Sequence, residues 1–367
     1  MELFECKKDC YKGNLTQGCK LCVTGEKSVL FVTGICPQHC FYCPISDKKS
    51  QHDVMYINET PITNFEDIVQ EVKLCKSKGC SLTGGDPLAR IDRSAEYIKK
   101  LKQTFGKEFH IHLYTSLKLF TPENLKKLFY AGLDEIRCHP DIMDKKKWDR
   151  IKNAVSFSWR FGMEIPVIPG KEKETIELID FAKKYVQFIN LNELEYSDTN
   201  ACNLEGKYHT KDASSYGISG SEQMARQLLE KYKNLNIHYC NASFKDNVQM
   251  KRRIHKRAES IKLKGETITD DGTLIRGVVY LPETKPGVGY RQILETLTQE
   301  QKQEYMQKLN EANEKLQFTA DDKKFRLLCG IKEILARKKI IKQMNLIPAI
   351  VEEYPTYDAF EVEIEFL

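Results

Sequence analysis

The chain is predicted to be an α/β protein built on a parallel sheet, and three features of the sequence point there. Between about residues 28 and 192, six short apolar stretches alternate with amphipathic ones long enough to be helices. Glycine, proline and capping residues punctuate the junctions. A loop with Cys36, Cys40 and Cys43 follows the first apolar stretch, at the strand end where parallel α/β folds gather ligands.

Taken in order, the strands are expected at 28–33, 80–83, 110–115, 134–137, 163–168 and 187–191. Thr63 and Asn64 precede a helix over 65–78, and Thr121 with Pro122 opens another. Gly79, Gly106, Gly132 and Gly162 stand at helix ends, each ahead of a new strand. Residues 193–240 form a transition whose run Ser214-Ser215-Tyr216-Gly217-Ile218-Ser219-Gly220-Ser221 suggests a mobile loop, either a lid or a connection. A hairpin follows over 267–280 around Asp271-Gly272. Thr298-Gln299-Glu300-Gln301 is a capping box for a helix reaching about residue 316, and Thr319 opens another to about 344. Phe360, Val362, Ile364 and Phe366 alternate with glutamates, the pattern of a half-buried strand. Three regions result: a Cys-rich metal-binding segment over 1–27, a catalytic domain over 28–240, and a basic helix with a small α+β accessory module over 241–367.

Composition narrows the setting. Residues 1–9 have no apolar signal core, and no run of the 367 residues is long enough to cross a bilayer, so a cytoplasmic protein in reducing surroundings is expected. There, clustered members of the 13 cysteines read as metal ligands, and Cys75, Cys80, Cys138 and Cys329 as small apolar residues. A net charge of +5 is too mild to imply nucleic acid. Two basic runs, Lys251 to Lys264 and Arg337 to Lys342, are either solvated helix faces or anion contacts.

The triplet Cys36-x3-Cys40-x2-Cys43 can hold three corners of a 4Fe-4S cluster and leave one iron open to a small molecule. The plainer alternatives are a zinc knuckle or buried thiols, though three cysteines within eight residues pack poorly as core. With Tyr42 before its last cysteine and a strand in front, the triplet resembles the signature of the radical S-adenosylmethionine superfamily. The resemblance implies a partial (β/α)6 barrel with a lateral opening for a large substrate, and an open iron that binds the amine and carboxylate of S-adenosylmethionine. An oxygen-sensitive cluster implies an anaerobic host.

The same resemblance gives roles to other residues. Gly84, Gly85, Asp86 and Pro87 stand where the superfamily carries a Gly-Gly-Glu-type motif for the methionine amine, with aspartate here in place of glutamate. Ile168, in Val167-Ile168-Pro169-Gly170, corresponds to a motif touching adenine and ribose. Glu195, Ser197 and Asn200 follow the sixth strand at the cofactor rim, where the alternative is a polar loop. His110, His112, Tyr114, Arg137 and His139 face inward as substrate contacts or as satisfied core groups. Cys6, Cys10, Cys19 and Cys22 form a second set, for zinc or an auxiliary cluster, with Cys202 and Cys240 as extra candidates.

The implied chemistry is reductive cleavage of S-adenosylmethionine to a 5'-deoxyadenosyl radical, fed by a reductant such as ferredoxin or flavodoxin. The substrate is expected to be macromolecular, with RNA modification placed first and activation of a glycyl-radical enzyme second. A non-enzymatic zinc or iron–sulfur binding protein is the third reading. The wording from Gly18 to Pro44, the Gly-Gly-Asp-Pro loop and the run from His110 to Thr115 resemble an archaeal group described as related to pyruvate formate-lyase activating enzymes.

Overall fold

The computed structural model describes residues 10–367, so Cys6 lies outside the described residues. The chain divides into two compact units, the first ending at Arg253 and the second covering Ile254–Leu367. That boundary falls inside helix Lys251–Ile261, some way beyond residue 240.

The first unit is a parallel sheet wrapped by helices. Its strands are β1 (Lys27–Phe31), β2 (Gly79–Thr83), β3 (His110–Ser116), β4 (Glu135–His139), β5 (Arg160–Val167), β6 (Phe188–Glu193) and β7 (Ile237–Cys240). Each pairs in parallel with the next, in sequence order. Short antiparallel strands, Tyr56–Ile57 on β1 and Tyr11–Lys12 on β7, flank the outer members, so the sheet is open. Leu30, Leu82, Ile111, Ile136, Ile165 and Leu191 supply one buried apolar residue from each of β1 to β6. Near-continuous apolar strands of this kind suit a sheet buried on both faces.

The helices are α1 (Gln17–Val23), α2 (Phe65–Leu74), α3 (Ile91–Phe105), α4 (Pro122–Ala131), α5 (Glu172–Ala182) and α6 (Ser221–Lys231). Asn64 and Asp67 close a capping box on α2. Thr121 caps α4, and Gly132 ends it in the left-handed conformation. No helix among the described residues is long and apolar enough to cross a membrane.

Several expectations change. The transition after residue 193 contains a further βα unit, α6 and β7, so the sheet has seven parallel strands instead of six. The glycine–serine run that suggested mobility caps α6 and pairs through Gly217 and Ile218 to Glu195 and Thr210. Gly79 begins β2, and α2 stops earlier, at Leu74. Gly162 lies within β5, where an added Cβ would sit 2.3 Å from the Phe188 ring. Gly162→Ala is therefore expected to destabilise the first unit by about 1–3 kcal/mol through overpacking. Urea unfolding followed by circular dichroism measures this, and an unchanged midpoint would contradict it.

The second unit is a six-stranded antiparallel sheet with helices Gln299–Leu316 and Ile331–Gln343. Thr298 and Gln301 form the expected capping box, and the hairpin pairs Thr267–Ile268 with Leu274–Tyr280. Thr319, however, begins a strand, Thr319–Asp321, and the next helix starts only at Ile331. The last strand, Glu361–Phe366, is an edge strand that keeps the expected alternation only in part: Ile364 packs inward and Glu363 and Glu365 are exposed. Val362 and Phe366 are exposed, while Glu361 turns inward to Lys324 (2.5 Å) and Arg291 (2.8 Å). The buried Lys324 and the more exposed Arg291 claim the glutamate and override apolar periodicity at that one position. The basic runs are partly used internally too: Arg252 donates to the Val23 carbonyl (2.7 Å), Arg257 to that of Pro355 and Arg337 to that of Leu316.

Candidate active site

The first unit contains a cavity of about 510 Å³. Its outer end is the cysteine loop. Residues 32–55 form neither helix nor strand, yet the loop is tied at both ends. Gly34 N–H donates to His52 O (2.8 Å) and Gln51 N–H to Gly34 O (2.9 Å). Asp53 accepts from Thr33 Oγ1 (2.9 Å), Arg93 Nη1 (2.7 Å) and Arg90 Nε (2.9 Å). The Arg93 guanidinium, with Arg90 and Thr33, holds the Asp53 carboxyl well below the usual carboxylate range. A depressed carboxyl stabilises the fold fully above its unfolded pKa, near 4, and the contribution fades as pH falls below that. Asp53→Asn should therefore loosen the loop at neutral pH and flatten the acid limb of the stability profile. Thermal melts from about pH 3 to 7 test this, and superimposable wild-type and variant profiles would refute it.

The glycine loop after β2 locks onto the cysteine loop backbone to backbone. Gly85 N–H donates to Thr33 O (2.7 Å) and Asp86 N–H to Ile35 O (2.9 Å). A Cβ on Gly84 would lie 2.3 Å from Thr33 O, and one on Gly85 2.5 Å from Gly34 O, so both must be glycine. With those N–H groups committed, the turn offers the cavity carbonyl oxygen, an acceptor suited to an ammonium group. Asp86 does not line the cavity. It is fully buried and accepts from Leu88 N (3.0 Å), Thr115 Oγ1 (2.8 Å), Ser116 N (3.1 Å) and Ser116 Oγ (2.7 Å). Its part is to fasten the glycine loop to β3.

Cys36, Cys40 and Cys43 all line the cavity. Burial pushes the Cys36 thiol up to about 12 and raises Cys40 as well, so both are protonated in the metal-free chain. Among the described residues, no three Cys, His, Asp or Glu side chains converge on a single ion. A lone zinc needs its ligands within about 2.0–2.3 Å, whereas a polynuclear cluster spreads its ligands over a wider frame. Tyr42 is held between the three thiols: its hydroxyl donates to His139 Nε2 (2.8 Å), since His139 Nδ1 donates to Glu164 O (2.8 Å). Asn200 Nδ2 donates to Tyr42 O (3.1 Å) and to Glu195 O (3.0 Å).

The inner end is polar. Arg137, buried on β4, reaches Glu135 (2.7 Å), Glu164 (2.8 Å), Tyr114 (3.0 Å) and Cys19 Sγ (3.4 Å). Glu164 also accepts from Asn190 (2.9 Å) and Asn192 (2.8 Å). Lys27 contacts His110 Nδ1 (2.8 Å), and burial lowers its ammonium to about 8. The helix α1 brings Cys19 and Cys22 to this end. Burial opposes ionisation of Cys19, but Arg137 and the adjacent His238 overcome it and bring the thiol to about 7. Cys22 goes the other way, to about 11, through burial and the charge of Cys19.

Of the residues singled out from sequence, Gly84, Gly85, Pro87, Tyr42, Tyr114, Arg137, His139, the triplet, Cys19, Cys22 and Cys240 line this cavity. The others among the described residues do not, His110, His112 and Asn200 included. Asp86 is tied to β3, and Ile168 packs in the core. Glu195 pairs with Lys245 (2.6 Å), and Ser197 donates to and accepts from its own loop near Thr199 and Asn200. Cys10 is outside the lining and Cys202 is exposed. Sequence reading missed Lys27, Glu164, Asn190, His238 and Lys245. The alternation Asn190-x-Asn192 in an otherwise apolar strand was a usable signal for the inward face.

Comparison with known proteins gives the family. The pattern of the radical SAM superfamily matches residues 30–187. A protein of Methanocaldococcus jannaschii, provisionally named a glycyl-radical enzyme activating enzyme, is 38% identical over 364 residues, covering 95% of this chain and 92% of that one. Among solved structures, a dipeptide epimerase from Enterococcus faecalis V583 overlaps 54% of this chain and 49% of its own at 12% identity and a TM-score of 0.31. Coproporphyrinogen III oxidase from Escherichia coli, described as a radical SAM enzyme, overlaps 50% of this chain and 42% of its own at 14% identity and a TM-score of 0.21.

Proposed function

Because this chain belongs to the radical S-adenosylmethionine superfamily, whose enzymes use a 4Fe-4S cluster and S-adenosylmethionine, we propose that it acts on a protein, converting a glycine of a partner enzyme to a glycyl radical. The observation that carries this is the likeness, along 95% of the chain, to a protein named for that activity. Partial use of the basic runs to bind the chain's own carbonyls favours a protein over RNA.

Cys36, Cys40 and Cys43 would hold the cluster, and the carbonyls of Gly84 and Gly85 would receive the methionine ammonium. The chemistry the bound cluster supplies is one-electron cleavage of S-adenosylmethionine, giving methionine and a 5'-deoxyadenosyl radical that removes a hydrogen atom from substrate. The protein's own task is to position and to exclude water. Tyr42, fixed by His139 and Asn200, holds the middle of the cysteine loop, while Val29, Pro44, Ile45 and Pro87 present apolar surface beside it. No side chain is required to move a proton in hydrogen-atom transfer. An external one-electron donor of the ferredoxin or flavodoxin class completes the reaction.

The test is anaerobic turnover with reductant and S-adenosylmethionine in the presence of a candidate glycyl-radical enzyme or of transfer RNA. A glycyl radical resonance on the partner, formed together with 5'-deoxyadenosine, is the expected result. Stoichiometric modification of the RNA, with no protein radical, would replace this reading.

A further inference from the structure

We propose that the inner end of the cavity is a second metal centre, in which Cys19, Cys22, Cys240 and His238 hold a polynuclear iron–sulfur cluster. Two local repeats place the donors. Cys19 and Cys22 are three positions apart on α1 and so share a face of the helix, while His238 and Cys240 are two apart on β7 and so share a face of the strand. Both pairs line the same cavity. Three thiols with one imidazole make a soft set suited to iron–sulfur or zinc binding.

Two further observations point to a ligand there. His238 is only 5% exposed, and neither of its ring nitrogens makes a well-formed hydrogen bond, the Cys19 thiol being the group that lies against it. A buried polar group left unsatisfied calls for an explanation, and coordination of one nitrogen provides it. The sulfurs, in contrast, are approached by N–H donors. Arg137 Nη2 lies 3.4 Å and Asn190 Nδ2 3.5 Å from Cys19 Sγ, and Gln249 Nε2 lies 3.5 Å from Cys240 Sγ. Donors directed at sulfur are the outer shell that orients and tunes metal-bound thiolates.

A set rich in thiolate suits an iron–sulfur core, and analysis of the bound metal separates that core from zinc. Each thiol loses its proton on ligation, and Lys27 stands at the cavity wall beside the cations Arg137 and Lys245, which are themselves paired with carboxylates. The structure thus regroups the N-terminal cysteines. Cys19 and Cys22 join β7, and Cys10 is not among the lining residues.

This second centre is independent of the proposed substrate and is tested without turnover. The full-length chain carrying Cys36→Ala, Cys40→Ala and Cys43→Ala is reconstituted anaerobically with iron and sulfide, desalted, and assayed for both, with visible absorption and electron paramagnetic resonance after dithionite. Iron and acid-labile sulfide should remain bound. Adding Cys240→Ser or Cys22→Ser should lower retention at least about tenfold, and His238→Gln should shift the resonance of what remains. Circular dichroism checks each variant, and separate changes on α1 and β7 keep the result readable if one misfolds. Absence of iron from the folded triple variant, zinc in its place, or retention unchanged by Cys22→Ser and Cys240→Ser would overturn the assignment. So would loss of the cluster on replacing Cys6 and Cys10 while Cys240→Ser and His238→Gln leave it intact.

Discussion

Cys40→Ala is expected to reduce 5'-deoxyadenosine formation to background. The three triplet thiols are the soft donors at the outer end of the cavity, and Cys40 is the middle one of a loop fixed at residues 33–34 and 51–53. With Cys40 gone, two thiols remain to hold a cluster that needs three protein ligands and one open iron. Neither the glycine loop nor Tyr42 can compensate, because backbone carbonyls and a phenol are poor ligands for iron in a sulfide core. The loss should therefore be one of chemistry, with the fold retained. Chromatographic assay of 5'-deoxyadenosine after anaerobic reduction measures it, with Cys329→Ala as the comparison. Cys329 is buried in the core of the second unit, and its truncation should affect stability alone. If Cys40→Ala still cleaved S-adenosylmethionine at a rate near that of wild type, the triplet would not be the cluster site.

Arg137→Met should be the most destabilising single change in the first unit, by about 3–5 kcal/mol. Arg137 is nearly inaccessible and is the cation shared by Glu135 and Glu164, both on the inner wall or just beneath it. Methionine preserves much of the volume but leaves two carboxylates in low dielectric. Asn190 and Asn192 still donate to Glu164, and Gly18 N still donates to Glu135 at 3.3 Å, but hydrogen bonds do not cancel charge. In wild type the balance of burial against Arg137 leaves Glu164 below its ordinary value. Without the guanidinium, burial is expected to raise the Glu164 carboxyl above its unfolded value. A native group with a raised pKa binds protons that the unfolded chain does not, so the deficit should shrink as pH falls. Urea unfolding at pH values of about 8 and 5.5 gives both the size and the sign. A deficit below about 1 kcal/mol, or one that grows in acid, would contradict the account. Replacing Glu135 and Glu164 by glutamine in the same chain should recover part of the loss.

Much of the frame was legible because it is local. Asn64 with Asp67 and Thr298 with Gln301 satisfy donors within one helical turn, so the boxes they form could be read directly. The cysteine triplet was legible for the same reason, since its spacing alone sets what three thiols can hold. The last strand was misread because its partners are not local. Lys324 and Arg291 draw Glu361 inward from 37 and 70 positions away, and Val362 and Phe366 turn out while Ile364 still packs inward. The seventh strand was missed because Ile237–Cys240 is four residues long, half of them polar, and is a strand only beside β6.

By itself the sequence determined that a parallel α/β unit carries a thiol triplet after its first strand and a glycine turn after its second, because these depend on the period of the backbone and on residue type over a few positions. Only the tertiary structure decided that Asp86 is a fastener between strands, that α1 brings Cys19 within reach of Asn190, 171 positions away, and that His238 faces the same space without a well-formed hydrogen bond. Such meetings are set by how the strands order themselves and how the chain closes across the sheet. No local spacing encodes that distance.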